Sequence, residues 1–137
     1  MKRKIITRLS FVLVLLTPVF SKSQTVYPYL QSCTPSSIFI NWKTNSNTQS
    51  LVEYGTAANA LTNAVNGSTQ TLTDVNYPGN YFYHSVKLKN ITPNTLYYYK
   101  VTSGTFTSAV SSFKTLPSPG NAATADGHIR FLIMGDN

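Results

Sequence analysis

The sequence predicts an all-β fold, a two-sheet sandwich of the immunoglobulin type, followed by the start of a separate α/β domain. Three observations support this prediction. Apolar and polar residues alternate in short runs, turn residues separate these runs about every 8–12 residues, and no segment shows a helical period. Residues 24–116 also have about the length of a single sandwich domain, roughly 100 residues.

The first 23 residues have the pattern of an export signal. Basic residues at positions 2, 3, 4 and 8 precede an apolar run over 9–20, and Ser21 and Ser23 follow at small-residue positions that a signal peptidase reads. The run is about 12 residues long, whereas a membrane-spanning helix needs roughly 20. We therefore expect residues 1–23 to be a cleaved signal peptide, no stable membrane span after cleavage, and a secreted protein (periplasmic, cell-surface or extracellular).

The export signal accounts for much of the positive charge. The chain has 11 Lys and Arg against 4 Asp and Glu, a formal charge of +7, and five of the basic residues lie in the first 23. The remainder is too weakly charged to attract nucleic acid at long range, so no nucleic-acid partner is predicted. Cys33 is the only cysteine, which excludes an intrachain disulfide. The oligomeric state is not predicted.

The first strands follow from short alternating runs. "TVYPYLQS" predicts a strand near Tyr29–Ser32, and "SIFINW" places Ile38, Ile40 and Trp42 on one face. "LVEYGT" predicts the next strand, which ends at Gly55. Residues 56–80 are rich in Asn, Thr, Ser and Gly; "STQTLTD" is a candidate strand there, and Pro78–Gly79 indicates a turn.

The second half alternates more clearly. "YFYHSVKLKN" places His84, Val86 and Leu88 on one side of a strand, with Ser85, Lys87 and Lys89 on the other. "ITPNTLYYYKVTSG" turns at Pro93–Asn94 and continues with Tyr97, Tyr99 and Val101 inward and Tyr98 and Lys100 outward. "TFTSAVSSFKT" completes a set of about seven strands.

A linker and the start of a second domain are predicted after residue 116. Residues 117–127 contain prolines, glycines and small residues, which is typical of a linker. Residues 128–137, "HIRFLIMGDN", contain a continuous apolar run over Phe131–Met134, typical of a strand covered on both faces. Asp136 follows such a strand through a glycine. It is either a turn residue or a metal ligand at the strand's carboxyl end, and the residues alone leave both interpretations open.

Residues 24–116 contain no recognisable catalytic or cofactor-binding constellation. We expect His84 to be an inward or edge histidine that hydrogen-bonds to backbone rather than a ligand or general base. The aromatic run "LYYYKV" is interpreted as core, because alternation leaves only Tyr98 and Lys100 exposed. Tyr97 is the candidate for a tyrosine corner, whose hydroxyl bonds to upstream backbone.

Several of these segments together resemble the purple acid phosphatase family. "SIFINWKT", "LVEYGT", "HSVKLKNITPNTLYYYKV" and "SSFKTLP" are similar, in order and spacing, to its N-terminal fibronectin type III-like domain. The combination of "YGT", the histidine of "YHSVKL" and the late "GD" is the most specific part. In that family a metallophosphoesterase domain follows the sandwich and opens with a hydrophobic strand that ends in Gly-Asp, as "IRFLIMGD" does.

The resemblance implies an exported acid phosphatase that hydrolyses phosphate esters. It implies a dinuclear metal centre (iron with zinc, manganese or iron), with Asp136 as the first metal ligand and the sandwich as a non-catalytic scaffold. On this hypothesis residues 128–137 are the first strand of a truncated metallophosphoesterase domain, and the 137-residue chain is inactive alone. The alternative is a secreted fibronectin type III-like binding or spacer module without catalysis.

Overall fold

Alternating apolar residues build two antiparallel sheets in the computed structural model, which describes residues 26–74 and 77–121. The nine strands are β1 (Tyr29–Gln31), β2 (Ser37–Thr44), β3 (Leu51–Gly55), β4 (Asn63–Asn66), β5 (Ser68–Asp74), β6 (Tyr77–Lys89), β7 (Leu96–Ser103), β8 (Phe106–Thr107) and β9 (Ser111–Lys114). The described residues form no helix, and so none long and apolar enough to cross a membrane. The predicted all-β sandwich is confirmed.

The strands are divided between a first sheet and a second sheet. The first sheet has the order β1-β2-β6-β5, and the second has the order β4-β3-β7-β8, with β9 also paired to β7. The chain passes from the second sheet to the first at Gly67, between β4 and β5. The strands β1 and β9 therefore lie at one side of the sandwich, and β4 and β5 at the other.

The core lies between the sheets and uses the side chains that alternation assigns to it. Its fully or almost fully buried apolar members from the central strands are Ile38, Ile40, Trp42, Val52, Val86, Leu88, Tyr97, Tyr99 and Val101. From β9, Phe113 packs with its ring centre 5.6 Å from that of Tyr97 and 5.8 Å from that of Tyr99. The inward assignments predicted for β2, β6 and β7 are all confirmed.

The region 56–80 agrees with the prediction in part: the candidate strand "STQTLTD" is confirmed as β5, whereas β4 was not predicted. It contains β4, β5 and the start of β6, and the predicted turn at Pro78–Gly79 is wrong because both residues lie within β6. The pairing explains why proline is tolerated there. From Phe82 onward β6 pairs with β2, whereas Tyr77 and Tyr81 pair only with β5, so this end of β6 has an unpaired side. Proline occurs in strands where its missing N–H faces an unpaired side.

Candidate functional site

Asp136, the predicted metal ligand, lies outside the described residues, as do the signal peptide and the strand predicted over 128–137. Within 26–74 and 77–121, no three or more His, Cys, Asp and Glu side chains come together to hold a metal ion. The described part of the sandwich therefore does not supply the ligand set of a dinuclear centre. Asp136 as a ligand, and the metal centre itself, remain predictions.

His84 is the most unusual polar group of the interior, because β6 holds its ring fully buried between the two sheets. Its Nε2 lies 2.7 Å from Thr44 Oγ1, and its Nδ1 lies 2.8 Å from Ser50 Oγ. The hydroxyls of Thr69 and Ser103 are at 3.2 and 3.4 Å. These partners come from both sheets and the loop between β2 and β3, so the imidazole joins elements that are distant in the sequence.

Burial, rather than the hydrogen-bond pattern, favours a neutral His84 ring. Thr44 Oγ1 also lies 2.8 Å from the Ser46 carbonyl oxygen, which can only accept. Thr44 therefore donates to Ser46 and accepts from Nε2–H. Ser50 Oγ lies 2.8 Å from Nδ1 and 3.0 Å from the Ser68 carbonyl oxygen, and its single proton can go to either acceptor. Burial lowers the pKa of His84, because the charged ring would lose its hydration.

His84 also stacks on Trp42, with ring centres 5.2 Å apart and planes inclined by 7°. The expectation of an inward histidine is confirmed, but the expected ring partners were wrong: they are side-chain hydroxyls rather than backbone groups. Since no solvent reaches the ring, the arrangement suits cohesion of the two sheets, not ligation or proton transfer to a substrate.

Tyr97 forms the predicted tyrosine corner. Its hydroxyl accepts a hydrogen bond from the backbone N–H of Thr92 over 3.0 Å, and its ring is buried against Phe113. The bond crosses the turn between β6 and β7, where Asn94 adopts a positive φ of 50° that asparagine tolerates better than most residues. The prediction is confirmed, and the role is structural.

The "LYYYKV" segment offers no stacking platform on the second sheet. Tyr99 is buried in the core, and Lys100 Nζ lies 2.9 Å from Glu53 Oε2 on the neighbouring strand β3. A platform for single-stranded nucleic acid needs several exposed rings and a basic groove. The interpretation of this segment as a core strand is confirmed.

An apolar groove follows the side of the sandwich where β1 and β9 meet. It encloses about 450 Å³ and is bordered by the edges of the two sheets; its apolar lining includes Leu30, Ile38, Phe113 and Leu116. Cys33 lies at this groove, half-buried and with a free thiol, and its Sγ is 3.8 Å from the Lys114 carbonyl oxygen. That contact is a weak hydrogen bond at most.

A second depression, of about 470 Å³, lies on the outer face of the first sheet, beside the crossover from β4 to β5. We call it the notch and define it by Phe39, Asn66, Ser68, Ser85, Lys87 and Lys89. Sequence reasoning assigned Lys87 and Lys89 correctly to the outer face of β6 but did not recognise a site. The missing signal was the crossover from β4 to β5, which brings Asn66 and Ser68 beside them.

The fold defines the class of protein. Solved structures with similar folds include the fn3 domain of human contactin 1, at 18% identity and TM-score 0.50, with 85% of this chain and 98% of that one covered. The vertebrate protein Astrotactin-2 matches at 11% identity and TM-score 0.54, over 74% of this chain and 23% of that one. The sensor domain of the anti-sigma factor RsgI4 of Pseudobacteroides cellulosolvens matches at 24% identity and TM-score 0.47, over 72% of this chain and 92% of that one. The protein is a fibronectin type III-like β-sandwich.

The family is shown by the sequence itself. The family model described as "Purple acid Phosphatase, N-terminal domain" matches residues 23–115, well over half of the chain. The chain therefore belongs to the purple acid phosphatase N-terminal domain family, as the resemblance of its strands indicated. No curated protein matches this sequence.

Proposed function

We propose that this chain is the leading part of an exported purple acid phosphatase-like metallophosphoesterase that hydrolyses phosphate esters. The observation that carries the proposal is the family match over residues 23–115. The segment "IRFLIMGD" that follows supports it, because its pattern is that of a buried strand ending in an aspartate. In this proposal the sandwich is a non-catalytic scaffold, and the dinuclear centre (iron with zinc, manganese or iron) takes Asp136 as its first ligand.

The proposal assigns catalysis to residues beyond the described sandwich, since the described residues supply no metal-ligand set. The first test is the coding sequence beyond codon 137. We expect Gly-Asp-x-x-Tyr, Gly-Asn-His and His-x-His motifs within about 200 codons, because a catalytic domain of ordinary size is about 100–200 residues long. A continuation without these motifs would refute the proposal and favour the secreted binding or spacer module.

The second test is activity. We expect the complete gene product to hydrolyse p-nitrophenyl phosphate and the 137-residue chain to have no activity. Changing Asp136→Asn should lower the rate about 100-fold or more, since even changes around metal ligands cost about 10–100-fold. Asp126→Asn, a carboxylate of the predicted linker, is the matched control and should leave the rate unchanged. Equal activity of both variants would contradict the role of Asp136.

Export is tested separately from catalysis. We expect mass spectrometry of the protein made in a secreting host to give a mature N-terminus close to Gln24. A product that retains residues 1–23 and stays with the membrane fraction would contradict export by cleavage. The catalytic proposal would then still be decided by the activity measurements.

A further inference from the structure

The notch arises from a step in the first sheet. β5 begins at Ser68, opposite Ser85, whereas β6 continues to Lys89. The last four residues of β6 therefore have no β5 partner, and the chain comes across from β4 at this point. A Cβ on Gly67 would lie 2.1 Å from the Ser85 carbonyl oxygen, so glycine is required for the chain to pass so close to β6. The depression is thus fixed by backbone rather than by mobile side chains.

The chemistry of the notch is that of a cationic site with one aromatic wall. Lys87 and Lys89 are both exposed and project from the same face of β6. Lys87 Nζ lies 4.8 Å from the centre of the Phe39 ring. The notch contains no carboxylate, and the ion pair formed between described residues, Lys100–Glu53, lies on the other sheet. The hydroxyls of Ser68 and Ser85 complete the lining.

The outer face of the first sheet around the notch also carries basic and aromatic side chains. Lys43 Nζ lies 3.9 Å from the centre of the Tyr81 ring. Burial, with a smaller contribution from a hydrogen bond to Tyr29, raises the pKa of Tyr83 to about 12, so its hydroxyl carries no negative charge near neutral pH. The face therefore attracts anions.

We propose that the notch binds an acidic sugar, a pyranose bearing a carboxylate, as a unit of an anionic polysaccharide. The apolar face of a pyranose ring packs on Phe39, its hydroxyls exchange hydrogen bonds with Ser68 and Ser85, and its carboxylate pairs with Lys87 and Lys89. A volume of about 470 Å³ lies within the 300–1,000 Å³ range of small-molecule sites. This site is independent of the phosphatase proposal. It would be present whether the whole protein is a metallophosphoesterase or a binding or spacer module.

Nucleic acid fits the notch less well. Sequence-independent binding of single strands needs several rings in a row along a basic groove, whereas the notch has one ring and two lysines. The low net charge outside the signal also gives no long-range attraction for a polyanion of phosphates. A sugar acid needs only one ring contact and one local cluster of positive charge.

The test is calorimetric and NMR titration of the full 137-residue chain with trigalacturonate, a neutral galactose trisaccharide and inorganic phosphate. We expect trigalacturonate to bind, with shifts of the amide signals of residues 85–89, and the neutral sugar to bind far more weakly. The double variant Lys87→Gln, Lys89→Gln should lower the affinity about tenfold or more, since it removes the charge-assisted hydrogen bonds to the carboxylate. The matched control is Lys114→Gln, an exposed lysine of β9 in the second sheet that does not line the notch.

Phe39→Leu separates sugar recognition from simple anion binding. The variant should weaken the binding of trigalacturonate and leave the binding of phosphate unchanged. If the leucine variant does not fold, the two lysine changes still test the proposal. Three outcomes would overturn the proposal: no binding of trigalacturonate, equal weakening by Lys114→Gln, or phosphate binding as tight as trigalacturonate with no effect of Phe39→Leu. None of these outcomes bears on phosphatase activity, so the two proposals fail separately.

Discussion

At the scale of single residues, His84 couples the stability of the sandwich to pH. Because burial lowers its pKa, the unfolded chain takes up a proton at a higher pH than the folded chain does. The free energy of unfolding should therefore be highest above about 6.5, the ordinary histidine pKa. It should fall as the pH decreases from about 6.5 to the lower pKa of the folded state, with a slope of up to about 1.4 kcal/mol per pH unit, and level off below that pKa.

The measurement is urea unfolding at a series of pH values between 8 and about 5. His84→Gln is the control, since glutamine bonds to hydroxyls but does not titrate, and this variant should lack the extra slope. His128, the other histidine, is present in both proteins and cancels from the comparison. Identical slopes for the two proteins would show that protonation of His84 does not limit stability.

The hydroxyl oxygen of Tyr97 should make a measurable contribution to the stability of the fold. Tyr97→Phe keeps the ring in the core but removes the acceptor of the Thr92 N–H, which should cost about 0.5–1.5 kcal/mol, the usual net contribution of one hydrogen bond, because Thr92 is exposed. Chemical denaturation gives this difference directly. Tyr98→Phe, on the outward face of the same strand, is the matched control and should change stability by less than about 0.5 kcal/mol. Similar losses for both variants would argue against a specific corner.

At the scale of elements, the crossover between β4 and β5 depends on Gly67. Gly67→Ala places a Cβ against the carbonyl oxygen of Ser85 and against Val86, so β5 must move away from β6. We expect a loss of at least about 3 kcal/mol, the upper end of the usual cost of overpacking. Thermal unfolding measures it, and a loss of pairing between residues 68–72 and 81–85 should appear in hydrogen exchange.

Gly120→Ala is the control for this change. Gly120 has a φ of +83°, but no atom lies within 4 Å of an added Cβ, so the variant reports backbone strain alone. Its cost should stay near 1–2 kcal/mol, the usual value for a left-handed non-glycine residue. If Gly67→Ala costs no more than Gly120→Ala, the close approach of the crossover does not constrain the sheet.

The strands also show how much of the fold could be predicted from the sequence. β2, β6 and β7 were predictable because each has one buried face and one open face, which produces strict alternation. β4 and β5 lie at sheet edges and are mostly exposed, so no apolar period marks them; β5 was only a candidate strand, and β4 was not predicted. The hydroxyls around His84 come from four separate segments, and the notch is formed by two strands and a crossover. Such sites depend on which strands become neighbours, which a local pattern does not encode.

At the scale of the whole molecule, the fold is stabilised without a covalent cross-link. Cys33 is the only cysteine, so the two sheets are held together by the core and the hydroxyl network. We expect the same thermal unfolding temperature with and without a reducing agent, and for Cys33→Ser a small loss, since the thiol is only half-buried. A lower unfolding temperature in reductant, together with a dimer band in non-reducing electrophoresis, would instead indicate a bond between two chains.

The arrangement of the strands also determines on which side of the sandwich its first and last strands lie. The first and last strands, β1 and β9, flank the same groove, so both ends of the domain emerge at one side. The crossover between β4 and β5 lies at the other. Anything joined to either end, whether a catalytic partner or an immobilising support, is therefore attached on the side of the sandwich where this groove lies.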